Sequence, residues 1–222
     1  MPVLRSIAPF VLAVTLAFPA DAAAQALGLP VRNAGAPRGL LIAADIGVPN
    51  DASGLGTTYG ASAGIGFGLL GLTATVARST IEGGDAQTSV GATANFRLIG
   101  GPLVPFSATL QAGVGRWSGS SVEGGEITSY SYPLGLGLGL TIASPVVSLK
   151  PWLAPRVQWT RVSEAGAYGA GGTTTDAAIS GGIDLGFING ITIRGMYDRV
   201  LNDGADVSVW SVGLGYSLRI GL

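Results

Sequence analysis

The sequence predicts an all-β protein, an antiparallel up-and-down transmembrane β-barrel of ten strands, with eight as the alternative count. Three observations predict it. In Ser129–Ile142, Tyr130, Tyr132, Leu134, Leu136, Leu138, Leu140 and Ile142 share one parity, while Ser131, Pro133, Gly135, Gly137, Gly139 and Thr141 share the other. A strand sends successive side chains to opposite faces, so this ribbon has one large apolar face and one small face. Mean hydropathy is +0.48 with 11% charged residues, yet beyond the N-terminus no run reaches the roughly 18 apolar residues of a spanning helix. Finally, alternating segments of about ten residues recur between turn signals, as a tilted strand crossing a bilayer requires.

Met1 to about Ala26 reads as a secretory signal peptide. Arg5 supplies the positive start, Phe10–Phe18 the apolar core, and Ala22–Ala24 a small-residue cleavage site, with a second at Ala24–Ala26. The apolar core is too short for a membrane anchor. Residues 27–38 hold Pro30 and Pro37 and no period; they read as a periplasmic lead-in, with a plug folded into the lumen as the alternative. Residues 39–222 are the barrel.

Ten segments follow in order. Gly39–Val48 places Leu40, Ile42, Ala44, Ile46 and Val48 outward and Asp45 inward. Thr58–Leu69 sends Tyr59, Ile65, Phe67 and Leu69 outward and a row of glycines inward. The third segment has Leu72, Ala74, Val76 and Arg78 outward; the fourth has Val90, Phe96 and Leu98 outward, with Asn95 and Arg97 inward. The fifth runs from Val104 to Arg116 with Phe106 and Leu110 outward, and the sixth is Ser129–Ile142. The seventh has Leu149, Leu153, Val157, Trp159 and Arg161 outward, and Lys150, Arg156 and Gln158 inward. Its Pro151 and Pro155 each lack a ladder donor, which predicts a bulge or local break. The eighth carries Ile179, Ile183, Leu185 and Phe187 outward and Asp184 inward; Asn189–Gly190 is a hairpin turn. The ninth has Ile191, Ile193, Tyr197 and Arg199 outward, with Arg194 and Asp198 inward, and the tenth runs from Val207 to Ile220. Connectors alternate between short turns and longer polar loops, and the long ones belong outside.

The parity carries a further expectation. Tyr59, Tyr130, Tyr132, Trp159, Tyr197 and Trp210 fall at the loop ends, and Phe67, Phe96, Phe106, Phe187 and Tyr216 at the turn ends. These are the two aromatic girdles of a lipid-facing surface, separated by roughly 20 Å. Arg78, Arg116, Arg161 and Arg199 end four strands on the outward parity at the loop end. They suit a belt gripping lipopolysaccharide phosphates through paired, charge-assisted hydrogen bonds; the plainer reading is four soluble caps on apolar strands.

Inward positions are mostly Gly, Ser, Thr and Ala, interrupted by Asp45, Arg97, Lys150, Arg156, Asp184, Arg194, Asp198 and Arg219. Buried charges must be paired or hydrated, so these predict a bracing network. The alternative is a narrow water path favouring anions.

Other chemistry is thin. The chain has no His and no Cys, which removes the usual general base and the His/Cys metal ligands. No catalytic residues, cofactor or metal site are expected. The acidic residues of the loops read as a solvated rim. A net charge of −1 leaves no basic footprint for nucleic acid.

The last strand, Gly215–Tyr216–Ser217–Leu218–Arg219–Ile220, resembles the C-terminal signal of small single-chain Gram-negative outer-membrane β-barrel proteins. It differs from the usual pattern in ending on Leu222 instead of an aromatic residue and in having Gly213 where a polar residue is usual. The resemblance covers residues 39–222 and implies a bacterial outer-membrane location. It also implies the barrel-assembly machinery as a partner, with outer-membrane lipid and lipopolysaccharide as surroundings. Such proteins serve as pores, adhesion or resistance factors, anchors and occasionally lipid-modifying enzymes. With no His, the expectation is a non-enzymatic surface or structural barrel with at most a narrow solute path; the alternative is a small anion-preferring, porin-like channel.

Overall fold

The computed structural model describes residues 26–37, 39–81, 84–101, 104–120, 126–165, 172–201 and 207–218. The signal segment through Gln25, the C-terminal residues from Arg219, and several loop tips lie outside the described residues.

Ten antiparallel strands close into a ring. They are β1 (Gly39–Pro49), β2 (Leu55–Phe67), β3 (Leu70–Ile81), β4 (Gly84–Gly101), β5 (Val104–Ser120), β6 (Glu126–Leu140), β8 (Val147–Ala165), β9 (Gly172–Phe187), β10 (Ile191–Leu201) and β11 (Val207–Leu218). A two-residue strand, β7 (Ile142–Ala143), is not a member of the ring. Each strand pairs with its neighbours in sequence, and β1 closes on β11 through pairs such as Ile42↔Tyr216 and Ile46↔Val212. In the ring each of the ten strands is paired on both sides, the condition for backbone to cross hydrocarbon.

The alternation in the sequence becomes two surfaces. Ile42, Val76, Leu136, Ile193, Val212 and Leu214 are exposed on the outside, whereas Thr58, Ser79, Ser89, Thr109 and Ser180 are fully buried within. Both girdles form, from Tyr59, Tyr132, Trp159 and Trp210 at the loop end to Phe67, Phe96, Phe106 and Tyr216 at the turn end. The rings of Tyr197 and Trp210 meet in a tilted contact, with centroids 4.5 Å apart, across β10 and β11. An outer face this apolar is soluble only in lipid.

The expected irregularity at Pro151 and Pro155 takes a particular form. On the β9 side the ladder runs unbroken from Val147↔Phe187 to Val162↔Gly172. On the β6 side it is interrupted between Gly135↔Arg156 and Leu138↔Leu153, opposite Pro155. It stops again opposite Pro151, where β6 ends at Leu140 and β7 resumes pairing at Ile142↔Leu149. The prolines turn their missing donors toward β6, so the ladder breaks without a register shift. A bulge does occur at the end of β4, between Arg97 and Ile99.

The walls differ in height. β1, β2, β3, β10 and β11 have 11 to 13 residues, close to the length needed to span. β4, β5, β6, β8 and β9 have 15 to 19.

Candidate functional site

The periplasmic position expected for residues 27–38 is not where the structure places residues 26–37. They lie inside the barrel, as in the plug alternative: Ala26, Leu29, Val31, Asn33 and Ala34 are all buried. The physical reason lies in the wall. A lumen lined by Gly, Ser and Thr leaves space and unmet polar groups, and an irregular segment with two prolines brings backbone groups that need partners.

Those partners can be followed from one end to the other. Near the loop end, the Leu27 N–H donates to Ser89 Oγ at 2.8 Å, and Ser79 Oγ donates to the Leu27 carbonyl at 3.1 Å. Gly28 has φ +75° and is packed onto Thr58, a left-handed conformation that glycine adopts without strain. Leu29 lies against Gly47 and Gly60 and joins Ala26 and Ala77 in a small apolar cluster. Deeper in, the Val31 N–H donates to Asp198 Oδ2 at 2.9 Å, and Gln111 Nε2 donates to the Arg32 carbonyl at 2.9 Å. Asn33 fills the space over Gly137, and Ala34 packs with Trp152, Ala154 and Met196. At the turn end Pro37 rests on Gly71. Gly39, at φ +76°, then lets the chain reverse into β1. The segment therefore descends through the lumen, and Gly47, Gly60, Gly71 and Gly137 leave the room it occupies.

Charges complete the filling. Arg194 grips Asp45 with both Nε and Nη2, the former at 2.7 Å. Arg156 donates to Asp198 Oδ1 at 2.9 Å and to Ser180 Oγ at 2.7 Å. Asp198 also accepts from Ser180 at 2.8 Å, so its carboxylate is satisfied from the wall and from the plug. Arg32 of the plug pairs with Asp184, which accepts from Trp152 Nε1 at 3.2 Å. Charged groups tied this way avoid the cost of an unpaired buried ion. Gly213 has no room for a side chain, because a Cβ there would strike Asp45. The glycine at that position is thus explained by the ion pair beside it.

Two spaces remain. A cavity of about 70 Å³ lies between the plug and the wall, near Asp45, Ser62, Thr75 and Arg194. A vestibule of about 330 Å³ opens at the loop end, floored by Leu27 and Gly28 and walled by Trp117, Ser131, Gln158, Thr160 and Asp176. Its higher side is the group of longer strands.

An antiparallel barrel with an aliphatic outer face between two aromatic girdles is solvated by lipid. The chain folds as a transmembrane β-barrel. No protein-family model matches it, and no curated protein matches it. Among solved structures it is similar to the outer-membrane protease OmpT from Escherichia coli, at 11% identity over 82% of this chain and 94% of that one, with a TM-score of 0.42. It is also similar to Ail, the attachment invasion locus protein of Yersinia pestis, at 14% identity over 81% and 98%, with a TM-score of 0.35. The β domain of the Bordetella autotransporter BrkA gives 15% identity over 81% and 99%, with a TM-score of 0.49. At such identities the likeness is one of fold.

The barrel brings some sequence-selected residues together and separates others. Asp45, Arg156, Asp184, Arg194 and Asp198 all enter ion pairs in the lumen. Lys150 is inward and lies beside Gly35 of the plug. Arg97 sits at the rim and donates to the Gly68 carbonyl of the β2–β3 turn at 3.0 Å. Arg219 lies outside the described residues. On the outer face, Arg116, Tyr130 and Arg161 are successive partners across β5, β6 and β8. Arg78 pairs with Tyr59 and Thr88, and Arg199 with Ile179 and Ser208. The residues that sequence reasoning did not select are Arg32, Asn33, Gln111 and Trp152. The signal for them was indirect: the inward glycines of β2 and β6 mark room in the lumen, though tight closure calls for small residues as well.

Proposed function

We propose that this protein is a closed, non-enzymatic outer-membrane barrel with a surface or structural role, exported by its N-terminal signal and assembled through its last strand. The observation that carries the reading is the passage of Leu27–Pro37 down the lumen, tied to Ser89, Asp198, Gln111 and Asp184. A solute path would have to displace these groups, leaving buried ions without partners. The absence of His and Cys from the chain also supports a non-enzymatic role. Planar-bilayer recording on the refolded mature chain tests the reading. The full chain is expected to give no discrete steps, and a variant lacking residues 27–36 is expected to give them. Steps in the full chain that disappear on Arg97→Gln with Arg194→Gln would favour the anion channel instead.

A second reading concerns the outer face, and the row Arg116–Tyr130–Arg161 supports it. Adjacent strands are about 4.8 Å apart, so the two arginines stand roughly 10 Å from each other at the interface. Arg116 Nε is buried and lacks a partner. Two cations this near in a medium of lowered dielectric favour an anion beside them. The phosphates of outer-leaflet glycolipid fit, and Arg78 and Arg199 would extend the belt. Replacing all four arginines by Gln should lower glycolipid co-purification with the intact barrel; unchanged co-purification would remove the belt.

A further inference from the structure

The direction in which the plug runs has a topological consequence. Leu27 is held by Ser79 and Ser89, and Gly28 by Thr58. All three wall residues lie near the loop ends of β2, β3 and β4. Pro37 meets Gly71, the second residue of β3 at the turn end. Between them the partners descend in order, from Gly60 and Asp198 through Gln111 and Gly137. Ala26–Leu29 form a turn closed by the Leu29 N–H on the Ala26 carbonyl at 3.2 Å, and the nine residues from Leu29 to Pro37 reach at most about 30 Å, on the order of the hydrocarbon thickness. Both β1 and β11 meet the turn end, at Gly39 and Leu218, and the longer loops occupy the opposite, outer end.

We infer that the barrel holds its own N-terminal segment so that the mature N-terminus is presented at the cell-surface mouth, and not in the periplasm. Signal cleavage after Ala26 makes Leu27, at the floor of the vestibule that contains Asp176, the first residue of the mature chain. Loop ends and N-terminus form one external face. The segment is taken in while the wall is still open, because its buried bonds to β3, β4, β5 and β10 are enclosed once β1 meets β11. The lumen is in this sense a binding track whose ligand is a peptide of the same chain. The display rests on the sealed-lumen reading but is separable from it by side of exposure.

The test is an eight-residue epitope inserted between Ala26 and Leu27 of the full precursor, probed on intact cells with an antibody that does not cross the outer membrane. Staining of intact cells, with the barrel folded by heat-modifiable migration, is the expected result. Staining only after the outer membrane is permeabilised would overturn the display, while a closed barrel in bilayers would leave the seal standing. Should the insertion prevent folding, the chain's lack of cysteine offers a second measurement. Leu27→Cys is expected to form a disulfide with Ser89→Cys in the assembled barrel and none with Thr73→Cys, which lies toward the turn end of β3. A crosslink to Thr73→Cys alone, or to neither, would overturn the inference.

Discussion

Leu214 on the outer face and Asp198 in the lumen sit on neighbouring strands, β11 and β10, yet they answer to different physics. Leu214 is 58% exposed and meets hydrocarbon, where another aliphatic side chain would serve as well. Asp198 is 3% exposed and accepts hydrogen bonds from Arg156, Ser180 and Val31; no other side chain there satisfies all three. The outer face is specified as a class of residue, repeated at every second position. The lumen is specified pair by pair, between residues as far apart in sequence as Arg194 and Asp45. A surface of the first kind tolerates exchange; one of the second kind does not.

The sharpest break in that contrast should come from Asp198→Ala. It leaves Arg156 buried without its partner, and removing one member of such a pair costs about 3–5 kcal/mol. Urea unfolding of the barrel in lipid vesicles should show the loss, whereas Leu214→Ile should leave the midpoint nearly unchanged. Next in size is a charge on the lipid side. Leu214→Arg should destabilise by about 2–4 kcal/mol if the site lies near the bilayer midplane, seen as a fall in folded yield on gels run without heating. If the same change were harmless, Leu214 would be facing water.

A smaller effect is expected at Gly213. Its replacement by Val drives a side chain into the Asp45–Arg194 pair, an overpacking of about 1–3 kcal/mol. A double substitution with Asp45→Ala should recover part of the packing term but expose the unpaired Arg194, so the two changes will not add. The smallest effect belongs to Arg78→Gln, at the exposed loop end of β3. A charge near the interface alters stability by only about 0–1 kcal/mol, so tryptophan-monitored unfolding should barely move even where glycolipid retention falls.

The same contrast explains how much could be read from sequence. The outer face was legible because one parity rule, applied at Ile42, Leu136 and Val212, repeats around the ring. Pro151 and Pro155 were legible too, since a missing N–H has only one meaning in a ladder; which neighbour would lose the bond was not. The individual lumen charges could be selected by parity, but their pairings depend on stagger between strands distant in sequence. Residues 27–37 were hardest. They carry no period, and nothing local in Arg32 or Asn33 distinguishes a periplasmic lead-in from a segment facing Asp184 and Gly137. The inward glycines were visible, yet a pore, a tight closure and a plug all require small residues.

Contacts within the lumen provide the most direct measurement. In lipid nanodiscs, magnetic-resonance cross-peaks are expected between Pro37 and Gly71, Leu29 and Gly60, and Asn33 and Gly137, with the Val31 amide slow to exchange against its bond to Asp198. If those cross-peaks were missing from a folded barrel and the Val31 amide exchanged as freely as in an unstructured peptide, the lumen would be open and the account of a self-plugged barrel would fail.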